Sequence, residues 1–72
     1  MNNDYFLPHI ELTGNCEASV EGCKGVLQYN EEIVELNTGK ISVRFTGCDL
    51  CLSSLDSSLA IVNGKILTVE FF

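Results

Sequence analysis

With 72 residues, the chain is long enough for one small domain, and its net charge of −6 with four scattered basic residues excludes phosphate-binding functions such as nucleic-acid recognition. Hydrophobic residues make up 46% of the chain and the mean hydropathy is +0.22, an apolar surplus that favours burial in an oligomer interface. The longest purely apolar run, residues 59–62, is far shorter than the ~20 residues of a membrane-spanning helix, so no direct membrane insertion is expected.

The N-terminus has neither the basic nor the apolar segment of a secretory signal, so the sequence predicts a cytoplasmic protein. Because thiols stay reduced in that compartment, the four cysteines are expected to be free. Residues 1–8 are predicted to form a partly flexible N-terminal segment, and residues 9–72 a single β domain.

Apolar residues alternate with a period of two along the chain, and each run stops at Gly, Asn or Asp. This pattern predicts about eight short strands, at residues 10–12, 16–20, 26–29, 34–36, 41–45, 50–52, 59–62 and 67–71. No 11-residue window has the apolar spacing of a helix. The predicted fold class is therefore all-β, a small antiparallel sandwich or roll with no significant helix.

The alternation also predicts one tight turn and a set of core residues. Asn63-Gly64 lies between the last two predicted strands, and both residue types accept the positive φ angles of a type I′ hairpin turn. The inward positions predict a core of Leu12, Val20, Leu27, Val34, Leu36, Val43, Phe45, Leu50, Leu52, Ile61, Val69 and Phe71.

Six apolar residues fall on the opposite phase: Val26, Ile33, Ala60, Val62, Ile66 and Phe72. A sheet with one solvated face is polar at such positions. Either the sheet rolls over and covers this second face itself, or another subunit covers it. We expect a homo-oligomer, with a dimer as the first expectation and Val62, Ile66 and Phe72 as the self-association residues.

The cysteines offer an alternative function. Cys48 and Cys51 form a CxxC motif, which together with Cys16 and Cys23 could supply four thiolate ligands to a metal. The spacing of Cys16 and Cys23 matches no zinc pattern, and residues three apart on a strand point to opposite faces. We therefore expect no metal and no cofactor, and keep a small metal- or ligand-binding β module using these four cysteines as the alternative hypothesis.

Motifs of catalysis are missing from the sequence. His9 is the only histidine, and no Gly-x-Ser-x-Gly elbow or phosphate-binding glycine loop occurs. A serine or cysteine nucleophile needs an adjacent base held by a third group. The sequence thus predicts no catalytic residues and no enzyme.

Four segments together resemble the YabP/YqfC sporulation protein family. They read LPHIELTGN at residues 7–15, VEGCKGVLQYN at 20–30, ISVRFTGCDLCL at 41–52 and LAIVNGKI at 59–66. The resemblance implies a role in endospore formation in Firmicutes, on the mother-cell side, in assembly of the spore coat or envelope. It implies protein partners of unknown identity and no active site.

The cysteines are not part of the pattern that this family shares, which counts against a function based on them. The leading hypothesis is therefore a structural or assembly protein of sporulation that acts through protein–protein contacts. The cysteine-based binding module remains the alternative.

Overall fold

The computed structural model describes residues 7–72, which form six strands and no helix. The predicted all-β class is confirmed. Most of the predicted N-terminal segment, residues 1–8, lies outside the described residues. The strands are β1 (His9–Thr13), β2 (Glu17–Glu21), β3 (Gly25–Tyr29), β4 (Ile33–Asn37), β5 (Ser42–Asp56) and β6 (Leu59–Phe71).

The strand count differs from the eight predicted because β5 and β6 are long. Residues 41–45 and 50–52 were predicted as two strands and belong to β5, whereas residues 59–62 and 67–71 both belong to β6. The glycines and polar residues that interrupt the alternation mark β-bulges and bends here rather than chain reversals. All strand pairs are antiparallel, in the order β1-β2-β6-β5-β4-β3.

The bulges in the β5–β6 pairing mark where the two long strands bend, and they divide the single sheet into two parts, which we call layers. The first layer contains β1, β2, residues 59–63 of β6 and residues 51–56 of β5. The second layer contains β3, β4, residues 42–48 of β5 and residues 65–71 of β6. Buried side chains from both layers belong to one core cluster, so the sheet closes over itself as a roll.

Two glycines allow the long strands to cross closely at the bend. A Cβ atom on Gly47 would overlap the carbonyl oxygen of Lys65, and one on Gly64 would lie 2.5 Å from the carbonyl oxygen of Asp49. Gly64 also has a φ of +130°, which only glycine adopts readily. Only residues without a side chain fit at these two positions.

The predicted hairpin turn at Asn63-Gly64 is wrong. Asn63 pairs with Glu17 on one side and with Cys51 on the other, in the middle of β6. Of the two residues, only Gly64 has a positive φ, and it faces a bulge in β5. The reversal between β5 and β6 lies at residues 57–58 instead, where Ser57 has a φ of +56°.

The predicted core is half correct. Six of its residues are buried: Val20, Val34, Leu36, Val43, Phe45 and Leu50. Leu52, Ile61 and Val69 are half-buried, whereas Leu12, Leu27 and Phe71 are exposed, so the prediction is wrong for those three. The core also contains Ala18, Cys23, Ala60, Val62 and Ile66.

Leu12 and Phe71 lie opposite the buried Ala18 and Val43, and they are exposed because they lie at the margin of the sheet. The other errors come from a change of phase along the strands. The β5–β6 pairing has three irregularities, between Thr46 and Gly47, between Cys48 and Cys51, and between Leu52 and Ser54. Each bulge adds a residue on one strand and moves the following side chains to the other face. Ala60, Val62 and Ile66, predicted on a second face, therefore point into the core, and the roll covers them itself.

Candidate functional site

The three residues predicted to mediate self-association divide between the core and the surface. Val62 is 0% exposed and Ile66 is 6% exposed, so their predicted place on an uncovered face is wrong. Phe72 is 53% exposed, and the guanidinium carbon of Arg44 lies 4.6 Å above the centre of its ring. Self-association itself stays a prediction, and the exposed residues indicate where it could occur.

The end of β6 carries a dense group of exposed apolar side chains. Leu67 is 61% exposed and Phe71 is 59% exposed, and Phe72 follows directly. Leu67 is the extra residue of a bulge, because Thr46 pairs with Thr68 while Gly47 pairs with Ile66. We call residues 67–72 the β6 edge.

The backbone of the β6 edge has unused hydrogen-bonding groups. Ser42 and Phe72 exchange both of their N–H···O bonds, with N···O distances of 2.8 and 2.9 Å. In an antiparallel pair such residues alternate with residues whose N–H and C=O point away from the partner strand. The register is unbroken from here to Thr68, so the amide and carbonyl groups of Val69 and Phe71 point away from β5.

No strand occupies that side of β6 among residues 7–72. The pairing of β6 with β2 is confined to Leu59–Asn63 (residues 59–63), so residues 65–71 have β5 as their single neighbouring strand. The β6 edge therefore combines open backbone groups with apolar side chains, which is the chemistry of a strand-pairing surface.

Two of the other sheet edges are irregular. The β3 edge carries a bulge at Leu27, since Val26 pairs with Leu36 and Gln28 pairs with Glu35. The β5 edge carries a bulge at Ser53, and there the hydroxyl of Tyr29 accepts a hydrogen bond of 3.0 Å from the amide of Leu52. Bulges twist an edge and disturb the spacing that an added strand would need.

The remaining edge strand, β1, carries the sole histidine. His9 Nε2 lies 3.3 Å from Glu11 Oε2, and both side chains are mostly exposed, at 63% and 72%. The carboxylate of Glu11 places a charged side chain along β1, which is a common way to discourage edge pairing. Because both side chains are exposed, their contact adds little to stability.

Arg44 lies between two carboxylates beside the β6 edge. Its Nε lies 2.7 Å from Glu35 Oε2, and its Nη1 lies 3.3 Å from Glu70 Oε1. The hydrogen bond to Glu35, and then that to Glu70, raise the pKa of the Arg44 guanidinium above its usual range, so it stays charged at physiological pH. Glu70 thus shares the single positive charge of Arg44 with Glu35, which lies closer to the guanidinium.

The CxxC motif lies at the bend of β5. Cys48 pairs with Lys65 and Cys51 pairs with Asn63, positions two residues apart on β6. Because the bulge between them removes one residue from the alternation, both cysteines lie on the same side of the β5–β6 ribbon, and both are exposed. The expectation that they point to opposite faces is therefore wrong.

The alternative metal site would need all four cysteines in one place. Cys23 is buried and its thiol donates to the carbonyl oxygen of Gly25 at 3.6 Å, whereas Cys16, Cys48 and Cys51 are exposed. In the described part of the chain, no three His, Cys, Asp or Glu side chains form a group that could hold a metal ion. The arrangement gives that hypothesis no support.

Comparison with known proteins gives one match. The model of the YabP family matches residues 7–72 of the chain. No curated protein and no solved structure matches significantly. Separately, residues 7–72 include no helical segment with the length and hydropathy needed to cross a bilayer.

Proposed function

This chain belongs to the YabP family, and from that premise we propose that it is a structural protein that helps to assemble the spore coat or envelope through protein–protein contacts. Membership of the family indicates a sporulation-related protein. The finer proposal places the protein in the mother-cell cytoplasm, with other sporulation proteins and further copies of itself as partners.

The observation that carries this proposal is the amount of exposed apolar surface. Nine large hydrophobic side chains are exposed among residues 7–72: Leu7, Leu12, Val26, Leu27, Tyr29, Leu55, Leu67, Phe71 and Phe72. Two groups of them each share one strand or its end, namely Val26, Leu27 and Tyr29 on β3 and Leu67, Phe71 and Phe72 at the end of β6. Exposed apolar residues that lie together promote association. We infer that this protein uses its exposed apolar residues to bind other proteins.

The proposal includes no catalytic activity and no nucleic-acid partner. His9, the one imidazole of the chain, lies beside Glu11 in an exposed position rather than beside a nucleophile in a pocket. The net charge of −6 opposes binding to phosphate backbones and to anionic lipid surfaces.

The test is a deletion of the gene in the source organism, followed by sporulation. We expect vegetative growth to be unchanged and the yield of resistant spores to fall, with restoration by the full wild-type chain. A fluorescent fusion is expected to collect at the developing spore from the mother-cell side. Normal spores with an intact coat and envelope after the deletion would contradict the proposal.

A further inference from the structure

We propose that the β6 edge pairs with the β6 edge of a second copy, so that two chains form an antiparallel dimer with two-fold symmetry. This inference deepens the proposed function, since it names the partner and the contact for one of the exposed surfaces. It rests on two observations at the same edge: open backbone groups and exposed apolar side chains.

The backbone sets which residues can pair. The amide and carbonyl groups of Val69 and Phe71 point away from β5. On that side of β6, the amides of Gly64 and Ile66 bond to the carbonyl oxygens of Cys16 and Asn15, so the open edge begins at Leu67. An added antiparallel strand would bond to these two residues and extend the second layer by one strand. If the dimer has two-fold symmetry, the strand added to one β6 is the β6 of the second copy.

The side chains favour one register. With Val69 of one copy opposite Val69 of the other, Phe71 lies opposite Leu67, and Thr68 lies opposite Glu70. The shifted register with its two-fold axis at Glu70 would place two carboxylates directly opposite each other, which is destabilising in a sheet. The first register also covers the two most exposed apolar side chains of β6, Leu67 and Phe71.

Regularity favours this edge over the other three. The bulge at Leu67 lies at one end of the β6 edge and leaves the register unbroken from Thr68 to Phe71. The bulge of β3 lies in the middle of a five-residue strand, and the free part of β5 is interrupted twice, between Cys48 and Cys51 and between Leu52 and Ser54. Bulges disturb the spacing that an added strand needs, and β1 carries the carboxylate of Glu11, so each of these edges is less suited to strand pairing.

A pair of matched lysine variants tests the location. Phe71→Lys puts a charge on the β6 edge, whereas Leu27→Lys makes the same change of charge on the β3 edge at a site of similar exposure, 53% against 59%. Light scattering after size exclusion, at tens of micromolar, is expected to show a dimer for the wild type and for Leu27→Lys. We expect Phe71→Lys to weaken self-association by about tenfold or more.

The inference is overturned if the wild type is monomeric under these conditions, or if Leu27→Lys dissociates the dimer and Phe71→Lys does not. Circular dichroism of each variant shows whether it is folded. If Phe71→Lys proves unfolded, the wild type alone still decides the question by amide hydrogen exchange.

Exchange at Val69 and Phe71 depends on whether their amides are covered. We expect their protection to rise at least tenfold as the wild-type concentration passes through the association range, while the amides of β3 change little. Protection that is equally high at all concentrations would mean that another part of the same chain covers the edge. Protection that stays low at all concentrations would mean that nothing covers it, and either result overturns the inference.

This experiment and the deletion test can fail separately. If the protein is monomeric but its deletion impairs sporulation, the proposed function stands and the dimer is wrong. If the protein is a dimer but its deletion leaves the spores normal, the dimer stands and the proposed function is wrong.

Discussion

The two halves of β6 are both rich in apolar residues and have different surroundings. Residues 59–63 lie between β2 and β5, and Ala60 and Val62 within them are fully buried. Residues 65–71 have a strand on one side, and Leu67 and Phe71 within them are more than half exposed. The first half contains the continuous apolar run of residues 59–62, whereas apolar and polar residues alternate from Leu67 to Phe71.

The difference lies in the neighbouring strands. A strand on each side pairs with the backbone of the first half, whose side chains are buried or half-buried. The second half has apolar side chains at a place where the sheet has a free edge. We therefore expect stability to depend mainly on the first half of β6, and the proposed association on the second.

The largest expected effect comes from breaking the bend that separates the two halves. Gly47→Ala places a methyl group against the carbonyl oxygen of Lys65, which belongs to the backbone and cannot turn away. We expect a loss of at least about 3 kcal/mol in the free energy of unfolding, measured by chemical denaturation.

Gly25→Ala is the matched control for that variant, because a Cβ atom there meets nothing within 4 Å. Its effect is expected to stay within about 0.5 kcal/mol of the wild type. Equal stability of the two variants would show that β5 and β6 do not cross closely at Gly47.

A pair of truncations compares the two halves directly. Val62→Ala removes a fully buried side chain and is expected to cost about 2 kcal/mol in the free energy of unfolding. Phe71→Ala removes a larger but mostly exposed side chain and is expected to cost less than about 1 kcal/mol in dilute protein. The ranking would be reversed if Phe71 were the core residue that its sequence pattern predicts.

The smallest effect concerns the charge beside the β6 edge. Arg44→Gln removes the ion pairs with Glu35 and Glu70 and is expected to lower the Tm by less than Val62→Ala does. The decrease is expected to shrink in 1 M salt, because screening weakens the lost interactions.

Lys65→Gln makes the same change of charge at an exposed lysine that has no ion-pair partner among residues 7–72, and so serves as its control. A salt-independent difference between the Arg44 and Lys65 variants would assign the effect of Arg44 to its contact with Phe72 instead.

The sequence predicted the fold class and the centre of the core, and the reason is local. Val34, Leu36, Val43 and Phe45 lie on strands or strand segments that pair regularly with each other, so their alternation maps directly onto inside and outside. The family resemblance rested on the order of the same segments and is confirmed.

The candidate site was harder to predict, because it depends on bulges and on the sheet order. A bulge at Leu67 changes which face the residues of β6 present, and no pattern in a single sequence shows it. Asn63-Gly64 has the composition of a hairpin turn, but Gly64 adopts its positive φ within β6, at the bend of the strand. Phe71 is exposed because no second strand flanks it, which follows from topology alone.

Disulfide trapping tests the central claim, that the second half of β6 is where two copies meet, most directly. The background is a chain in which the three exposed cysteines, Cys16, Cys48 and Cys51, are replaced by serine. One preparation then carries Thr68→Cys, the other carries Glu70→Cys, and the two are oxidised by molecular oxygen with a copper catalyst, alone and as a mixture. Different affinity tags distinguish the two chains.

The proposed register places Thr68 of one copy opposite Glu70 of the other, in a pair without mutual hydrogen bonds, where the Cβ atoms lie closest. We therefore expect disulfide-linked dimers that contain one chain of each kind in the mixture, and few dimers from either preparation alone. Dimers formed by the Glu70→Cys chain alone would place the two-fold axis at Glu70 and contradict the register. A mixture that gives no linked chains, although both are folded, would contradict the central claim itself.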